Sequence, residues 1–191
     1  MTRLLFLLPL ITAGSITFAS LALKASSSGA IAARTGGFGE MTCQQCHWDN
    51  KLNEPPGLLR LTGIPKTYTP RQRYLITVTL VRPGLARGGF QVAAREDLTK
   101  ANFSRDAGSL RAIDGLTELI RDDVTQVTYL QHTKVGTEAR TSGDAEWTFA
   151  WTAPDSGPVV FHVAANAANG DDSALGDFIY TTEARTSHGA R

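Results

Sequence analysis

The chain has 191 residues, of which 42% are hydrophobic and 19% are charged, and this composition excludes a disordered chain. Its 19 basic and 18 acidic residues give a formal net charge of +1. No block of basic residues stands out, so no nucleic-acid partner is expected. The length fits one domain or two small ones.

The N-terminus has the pattern of an export signal. Arg3 gives a short basic start, and residues 4–23 carry no charge. An uncharged run of about 20 residues is long enough to span a bilayer. Its glycine, serine and threonine residues favour a secretory signal peptide, cut after Ala22, Ala25 or Ala32. Residues 1–32 are therefore assigned to a signal peptide or N-terminal membrane anchor plus a linker. The rest is expected outside the cytoplasm, in the periplasm or at the cell surface.

Both cysteines of the chain lie in one motif, Cys43-Gln44-Gln45-Cys46-His47. This is the attachment pattern of c-type haem. Two thiols on one turn reach the two vinyl groups of a single porphyrin, and the imidazole that follows can bind the iron. Residues 33–57 are therefore predicted to hold one covalent haem c, with His47 as the proximal ligand.

Three other interpretations of the motif remain. The cysteines could form an ordinary disulfide. They could form a thioredoxin-like dithiol, although that motif belongs to a βαβ context. They could bind zinc, which needs four ligands and usually a second cysteine pair.

The sequence after residue 58 is typical of β-strands. Residues 73–81 are rich in β-branched side chains and alternate at Ile76, Val78 and Leu80. Similar patterns, bounded by turn residues, predict strands at 89–94, 124–132, 146–151, 158–164 and 178–180. We therefore expect an all-β protein with an antiparallel β-sandwich over residues 58–181. Residues 109–120 could form a short helix.

Two further segments are assigned by their composition. The polar residues 182–191 are expected to be a flexible tail. The large aromatic residues of the strands are expected in the sandwich core rather than around a cofactor. They are Tyr74, Trp147, Phe149, Trp151 and Phe161.

A distal iron ligand, if one exists, is expected to be a histidine. Met1 lies in the signal, and Met41 is too close to Cys43 along the chain to reach the opposite haem face. His188 lies in the polar tail. His132 and His162 remain, although either could be an ordinary strand histidine.

The order of several short motifs resembles the bacterial Reeler-like, or choice-of-anchor V, domain proteins. The resemblance covers about residues 42–181. It rests on Thr42-Cys43-x-x-Cys46-His47, Tyr68-x-Pro70, Tyr74, Gly89-Phe90-Gln91, Tyr129-x-x-His132-Thr133, Trp151-Thr152-Ala153-Pro154, Gly157-x-Val159-x-Phe161, Asn166-Ala167-Ala168-Asn169-Gly170-Asp171 and Gly176-Asp177-x-Ile179-Tyr180. It implies an immunoglobulin-like β-sandwich just after the C-x-x-C-H segment. It also makes His132 part of the pattern, so His132 is the first candidate for the distal ligand and His162 the second.

A late polar cluster has two interpretations. Asn169, Asp171, Asp172 and Asp177 could offer oxygen ligands to calcium. The spacing does not match an EF-hand loop, and these residue types also form turns. A solvated turn between two strands is therefore the prediction.

The functional expectation is electron transfer with a redox partner protein. A haem closed by two histidines would have a lower potential than one with methionine as the second ligand. An open iron site that binds a small molecule such as CO or NO is one alternative. A non-redox binding or adhesion module with a structural cysteine pair is another. No hydrolase constellation is visible, so an enzyme is not expected, although a haem subunit of a redox complex remains possible.

Overall fold

The computed structural model describes residues 27–97, 105–139 and 143–189. The predicted signal at residues 4–23 lies outside the described residues. The described chain forms ten strands: β1 (Leu58–Thr62), β2 (Thr67–Tyr68), β3 (Arg73–Val81), β4 (Arg87–Glu96), β5 (Ser109–Ala112), β6 (Thr117–Arg121), β7 (Thr128–His132), β8 (Asp144–Thr152), β9 (Pro158–Ala168) and β10 (Phe178–His188). Two 3-10 turns accompany them, at Cys43–Gln45 and Val135–Thr137. None of the described residues belongs to a helix of the length and hydropathy needed to cross a membrane.

The strands form two sheets that pack as a β-sandwich, as predicted. The four-stranded sheet has the order β1-β3-β8-β5, and the six-stranded sheet has the order β2-β10-β9-β4-β7-β6. All neighbours are antiparallel except the short β2–β10 pair, which is parallel. The predicted bounds of β3 agree with the structure.

The core lies between the sheets and follows from the alternation of the strands. Ile76, Val78 and Leu80 are fully buried on one face of β3. The predicted core aromatics are buried there too, with Tyr74 only partly so. Trp147 and Trp151 each donate an indole hydrogen bond to a backbone carbonyl, at 2.7 and 2.8 Å. Burial without an unpaired polar atom explains why these large residues stabilise the sandwich.

A segment ahead of the sandwich covers the outer face of the six-stranded sheet. We call residues 27–47 the strap. The backbone N–H of Arg34 donates to Oε1 of Gln91 at 2.7 Å, and Nε2 of Gln91 donates to the Ile31 carbonyl at 3.0 Å. Glu40 in the strap pairs with Arg95 at 2.5 Å. Gln91 and Arg95 are almost completely buried, and the strap supplies the partners that such polar groups need.

Two predictions of local structure are wrong. The tail predicted from residue 182 is a regular strand as far as His188, because β10 pairs along its length with β9 and, at its end, with β2. The helix considered at residues 109–120 is instead β5 and β6, which belong to different sheets. A turn in which Leu116 N–H donates to the Asp114 carboxylate separates them.

Candidate cofactor-binding cavity

The C-x-x-C-H motif folds into a single 3-10 turn at the end of the strap. Thr42 caps the turn, its hydroxyl accepting the N–H of Gln44 at 3.1 Å. The N–H groups of Cys46 and His47 both donate to the Cys43 carbonyl at 3.1 Å. All three motif residues Cys43, Cys46 and His47 line one cavity.

The cavity lies between the strap and the outer face of the six-stranded sheet and has a volume of about 300 Å³. Its lining joins the motif to residues far along the chain. The lining includes Cys43, Cys46 and His47 from the motif, Ala30, Ile31 and Arg34 from the strap, Gly88, Gly89 and Phe90 from β4, His132 from β7, Asn166 and Ala168 from β9, and Ala174 and Asp177 before β10. The cavity therefore brings together the three predicted attachment residues and the first candidate for the distal ligand.

His47 is held by a carboxylate at the base of the cavity. Its Nδ1 lies 2.7 Å from Oδ2 of Asp177, whose side chain is fully buried. Nδ2 of Asn166 donates to the same carboxylate oxygen at 2.9 Å. A histidine whose Nδ1 faces a carboxylate presents Nε2 as its ligating nitrogen, as is usual for metal-bound histidines.

His132 reaches the cavity from the end of β7, where β4 and β7 diverge. Its Nδ1 lies 3.0 Å from the backbone nitrogen of Phe90 and 3.1 Å from the Phe90 carbonyl. The ring fits because residue 89 is glycine: a Cβ there would lie 2.9 Å from Cε1 of His132. Burial lowers the pKa of His132, since the charged ring would lose its hydration, so the neutral form is favoured.

The two contacts of His132 correspond to different tautomers. If Nδ1 accepts the N–H of Phe90, the ring proton is on Nε2, which then cannot bind a metal. If Nδ1–H donates to the carbonyl, Nε2 is free to be a ligand. The tautomer thus decides whether His132 can serve as a distal ligand.

His162 is outside the cavity. It lies on the outer face of β9 under the strap, edge-on to Phe38 with 5.1 Å between ring centroids. Its Nδ1 is 3.8 Å from the Glu183 carboxylate. Burial is the main cause of its lowered pKa. The structure does not bring the second candidate ligand to the C-x-x-C-H motif.

The donor set of the cavity fits a covalently attached haem. Cys43 and Cys46 are free thiols. Burial raises the pKa of the Cys43 thiol to about 11. Arg34 and Arg87 are the guanidinium groups of the lining, and guanidinium suits the propionate carboxylates of a porphyrin. Within the described ranges, no three or more His, Cys, Asp or Glu side chains are grouped to hold a bare metal ion.

The wall of the cavity also keeps unused hydrogen-bonding capacity. Oδ1 of Asn166 is buried and has no hydrogen-bond partner within the described residues. A buried acceptor left unpaired costs free energy. The described residues therefore lack one hydrogen-bond donor at this wall of the cavity. A polar group bound in the cavity could donate a hydrogen bond to this oxygen.

Sequence reasoning missed the residues that hold His47. Asp177 belongs to the late polar cluster, for which a solvated turn is predicted, and Asn166 stands only in the family motif Asn166-Ala167-Ala168-Asn169-Gly170-Asp171. Part of that cluster is indeed an exposed turn, in which Asp171 N–H donates to the Asn169 side chain at 3.0 Å. Asp177 is not part of that exposed turn. It is buried just before β10, beside Asn166 of β9, and its carboxylate contacts His47. The sequence signal for both residues is their place in the motifs of the family resemblance, which gives neither of them a role.

The fold and the site together define a two-sheet β-sandwich with a strap that carries a C-x-x-C-H turn over a cavity. No protein-family model matches the chain, and no curated protein matches it significantly in sequence. Among solved structures it is similar to the Reeler domain of human F-spondin, at 20% identity and a TM-score of 0.49, over 73% of this chain and 95% of that one.

Two further solved structures are also similar. One is the Reelin-N domain of F-spondin, at 17% identity and a TM-score of 0.48, over 77% of this chain and 97% of that one. The other is a cohesin module from a Clostridium perfringens family 33 glycoside hydrolase, at 8% identity and a TM-score of 0.42, over 71% of this chain and 96% of that one. All three similarities concern the fold.

Proposed function

We propose that this protein is an exported monohaem c-type cytochrome that transfers electrons. Cys43 and Cys46 would hold the haem covalently and His47 would bind its iron. The observation that carries the proposal is the shared cavity, which these three residues line together with His132. When bound, haem c supplies one-electron chemistry: ferric iron takes one electron from a donor protein, and ferrous iron returns it to an acceptor protein.

The other cavity residues have definite roles in this proposal. Arg34 and Arg87, of which Arg87 now pairs with Asp172, would supply the guanidinium groups for the two propionates. Ile31 and Ala168 would offer apolar contacts to the porphyrin and keep water from it, which favours a closed electron-transfer site over catalysis. His132, in the tautomer with Nε2 free, would be the second iron ligand.

One observation supports an open iron site as a second candidate. The backbone N–H of Phe90 points at Nδ1 of His132 with a hydrogen-bonding distance of 3.0 Å. A histidine that accepts there carries its proton on Nε2 and is a donor toward the cavity. The sixth position would then be free for CO or NO, which Nε2–H could stabilise by a hydrogen bond.

The test is to produce the full chain in a host that matures c-type cytochromes. The exported protein is examined by absorption in the oxidised and dithionite-reduced forms, by a pyridine haemochrome assay after acid extraction, and by intact mass. Covalent haem with sharp reduced bands is expected. A low-spin ferrous spectrum supports electron transfer, and a five-coordinate high-spin spectrum supports the open site.

The control is the double variant Cys43→Ala and Cys46→Ala, which is expected to lack covalent haem mass. A colourless wild-type protein from a competent host would overturn the haem proposal. The remaining function would then be a non-redox binding or adhesion module, with the two cysteines in a structural role.

A further inference from the structure

Asp177 is the most tightly held carboxylate at the cavity. Its side chain is fully buried, and Oδ2 receives both Nδ1 of His47 at 2.7 Å and Nδ2 of Asn166 at 2.9 Å. Oδ1 receives the backbone N–H of Asn169 at 3.2 Å. Nδ2 of Asn50 donates to its backbone carbonyl at 2.9 Å. The residue is thus fixed from both ends of the β9–β10 connection and from the segment after the motif.

This arrangement determines how the His47 ring is used. An ionised carboxylate only accepts hydrogen bonds, so Nδ1 of His47 is the donor, and in the neutral ring Nε2 then keeps its lone pair. Nδ2 of Asn166 is nearly equidistant from the two ring nitrogens, at 3.3 and 3.5 Å, so it does not single out either one. The buried carboxylate therefore fixes the tautomer that a metal ligand needs.

The same contact changes the electron donation of the ring. A carboxylate partner raises the basicity of a metal-bound imidazole. A more basic axial ligand stabilises ferric iron more than ferrous iron, because the ferric ion carries more positive charge. The low dielectric of a buried site strengthens this effect.

We infer that Asp177 is a positioning residue that fixes the Nδ1–H tautomer of His47 and lowers the reduction potential of the haem. This inference rests on the proposed haem attachment. Asn166 and Asn169 hold the carboxylate in place. Among the described residues the other two candidate ligands lack such a partner, since His132 faces backbone atoms and the Glu183 carboxylate is 3.8 Å from His162.

The test compares two variants that each remove one carboxylate from the cavity. Asp177→Asn keeps the shape of the side chain and removes the charge that faces His47. Asp172→Asn is the matched control, because Asp172 also lines the cavity but pairs with Arg87 and is largely exposed. Midpoint potentials are measured by spectroelectrochemical titration of the holoproteins.

Asp177→Asn is expected to shift the ferric–ferrous equilibrium at least tenfold toward ferrous, a rise of about 59 mV or more for a one-electron couple. Asp172→Asn is expected to shift it much less. Asp177→Glu restores a carboxylate and is expected to bring the potential back toward the wild-type value. A shift in Asp177→Asn no larger than in Asp172→Asn overturns the inference while leaving haem attachment intact.

A second measurement does not depend on a variant that folds. NMR of the diamagnetic ferrous wild-type holoprotein, with carbon monoxide added if the sixth position is open, reports the ring proton of His47. A slowly exchanging Nδ1 proton is expected, and its absence overturns the inference. A wild-type protein without covalent haem overturns the proposed function itself, so the two failures are distinguishable.

Discussion

A buried ion pair contributes to holding the strap on the sandwich, and removing it is expected to destabilise the protein. Glu40 receives the guanidinium of Arg95 at 2.5 Å and the hydroxyl of Tyr129 at 2.6 Å on one oxygen, and the hydroxyl of Thr35 at 2.6 Å on the other. The side chains of Arg95 and Glu40 are only 5% and 10% exposed. The perturbation is Glu40→Ala.

The expected magnitude follows from this burial. Removing one partner of a buried ion pair costs about 3–5 kcal/mol, because the remaining charge loses its counterion out of reach of water. A chain of this size loses about 2–4 °C of melting temperature per kcal/mol. Glu40→Ala is therefore expected to lower the melting temperature by about 6–20 °C. Tyr129→Phe removes one hydrogen bond to the same carboxylate and is expected to cost less, about 1.5–3 kcal/mol.

The assay is thermal unfolding followed by circular dichroism, with Glu183→Ala as the matched control. The Glu183–Arg185 pair has side chains that are 47% and 54% exposed, and pairs of this kind contribute about 1 kcal/mol or less. Equal falls in melting temperature for Glu40→Ala and Glu183→Ala would refute the reasoning, since burial would then not distinguish the two pairs.

Three other predictions follow from the histidines and cysteines. His132→Ala is expected to convert ferric haem from low to high spin, whereas His162→Ala leaves the spectrum unchanged; the reverse result would exchange the two assignments. Burial holds the pKa of His162 below the value of about 6.5 that it has in the unfolded chain. As the pH falls, the unfolded state therefore binds a proton before the folded state does, and the free energy of unfolding decreases below about pH 6.5. His162→Asn should flatten that decrease in melting temperature between pH 7.5 and 5, and an unchanged slope would contradict it. In protein made without haem, iodoacetamide at pH 8 should label the exposed Cys46 long before Cys43. The pKa of about 11 makes the reactive thiolate of Cys43 roughly a hundredfold scarcer than it would be at the ordinary pKa of 9.0. Faster labelling of Cys43 would contradict the burial of its thiol.

The sandwich was predictable where hydropathy alternates strongly. Ile76, Val78 and Leu80 show the period of two that a half-buried strand requires, and the structure confirms them as core. β10 beyond residue 181 was missed because its stability comes from backbone hydrogen bonds to β9, while its side chains are polar and partly exposed. Side-chain hydropathy does not record backbone pairing.

The candidate site was predictable only in part, for a different reason. A local motif identified Cys43, Cys46 and His47, because their chemistry depends on spacing along the chain. Asp177 and Asn166 act on His47 through tertiary contact, which no local pattern encodes. Glu40 was not recognised either, since a lone acidic residue in a glycine-rich segment is usually solvated.

The contact between His47 and Asn166 spans 119 residues of chain. Closing so long a loop has an entropic cost that the final strands must offset. The motif is synthesised well before β9 and β10, so its enclosure by Asn166 and Asp177 cannot form until those last strands are present. The order of assembly is therefore set by the topology: the N-terminal motif is synthesised early, and its surroundings are completed last.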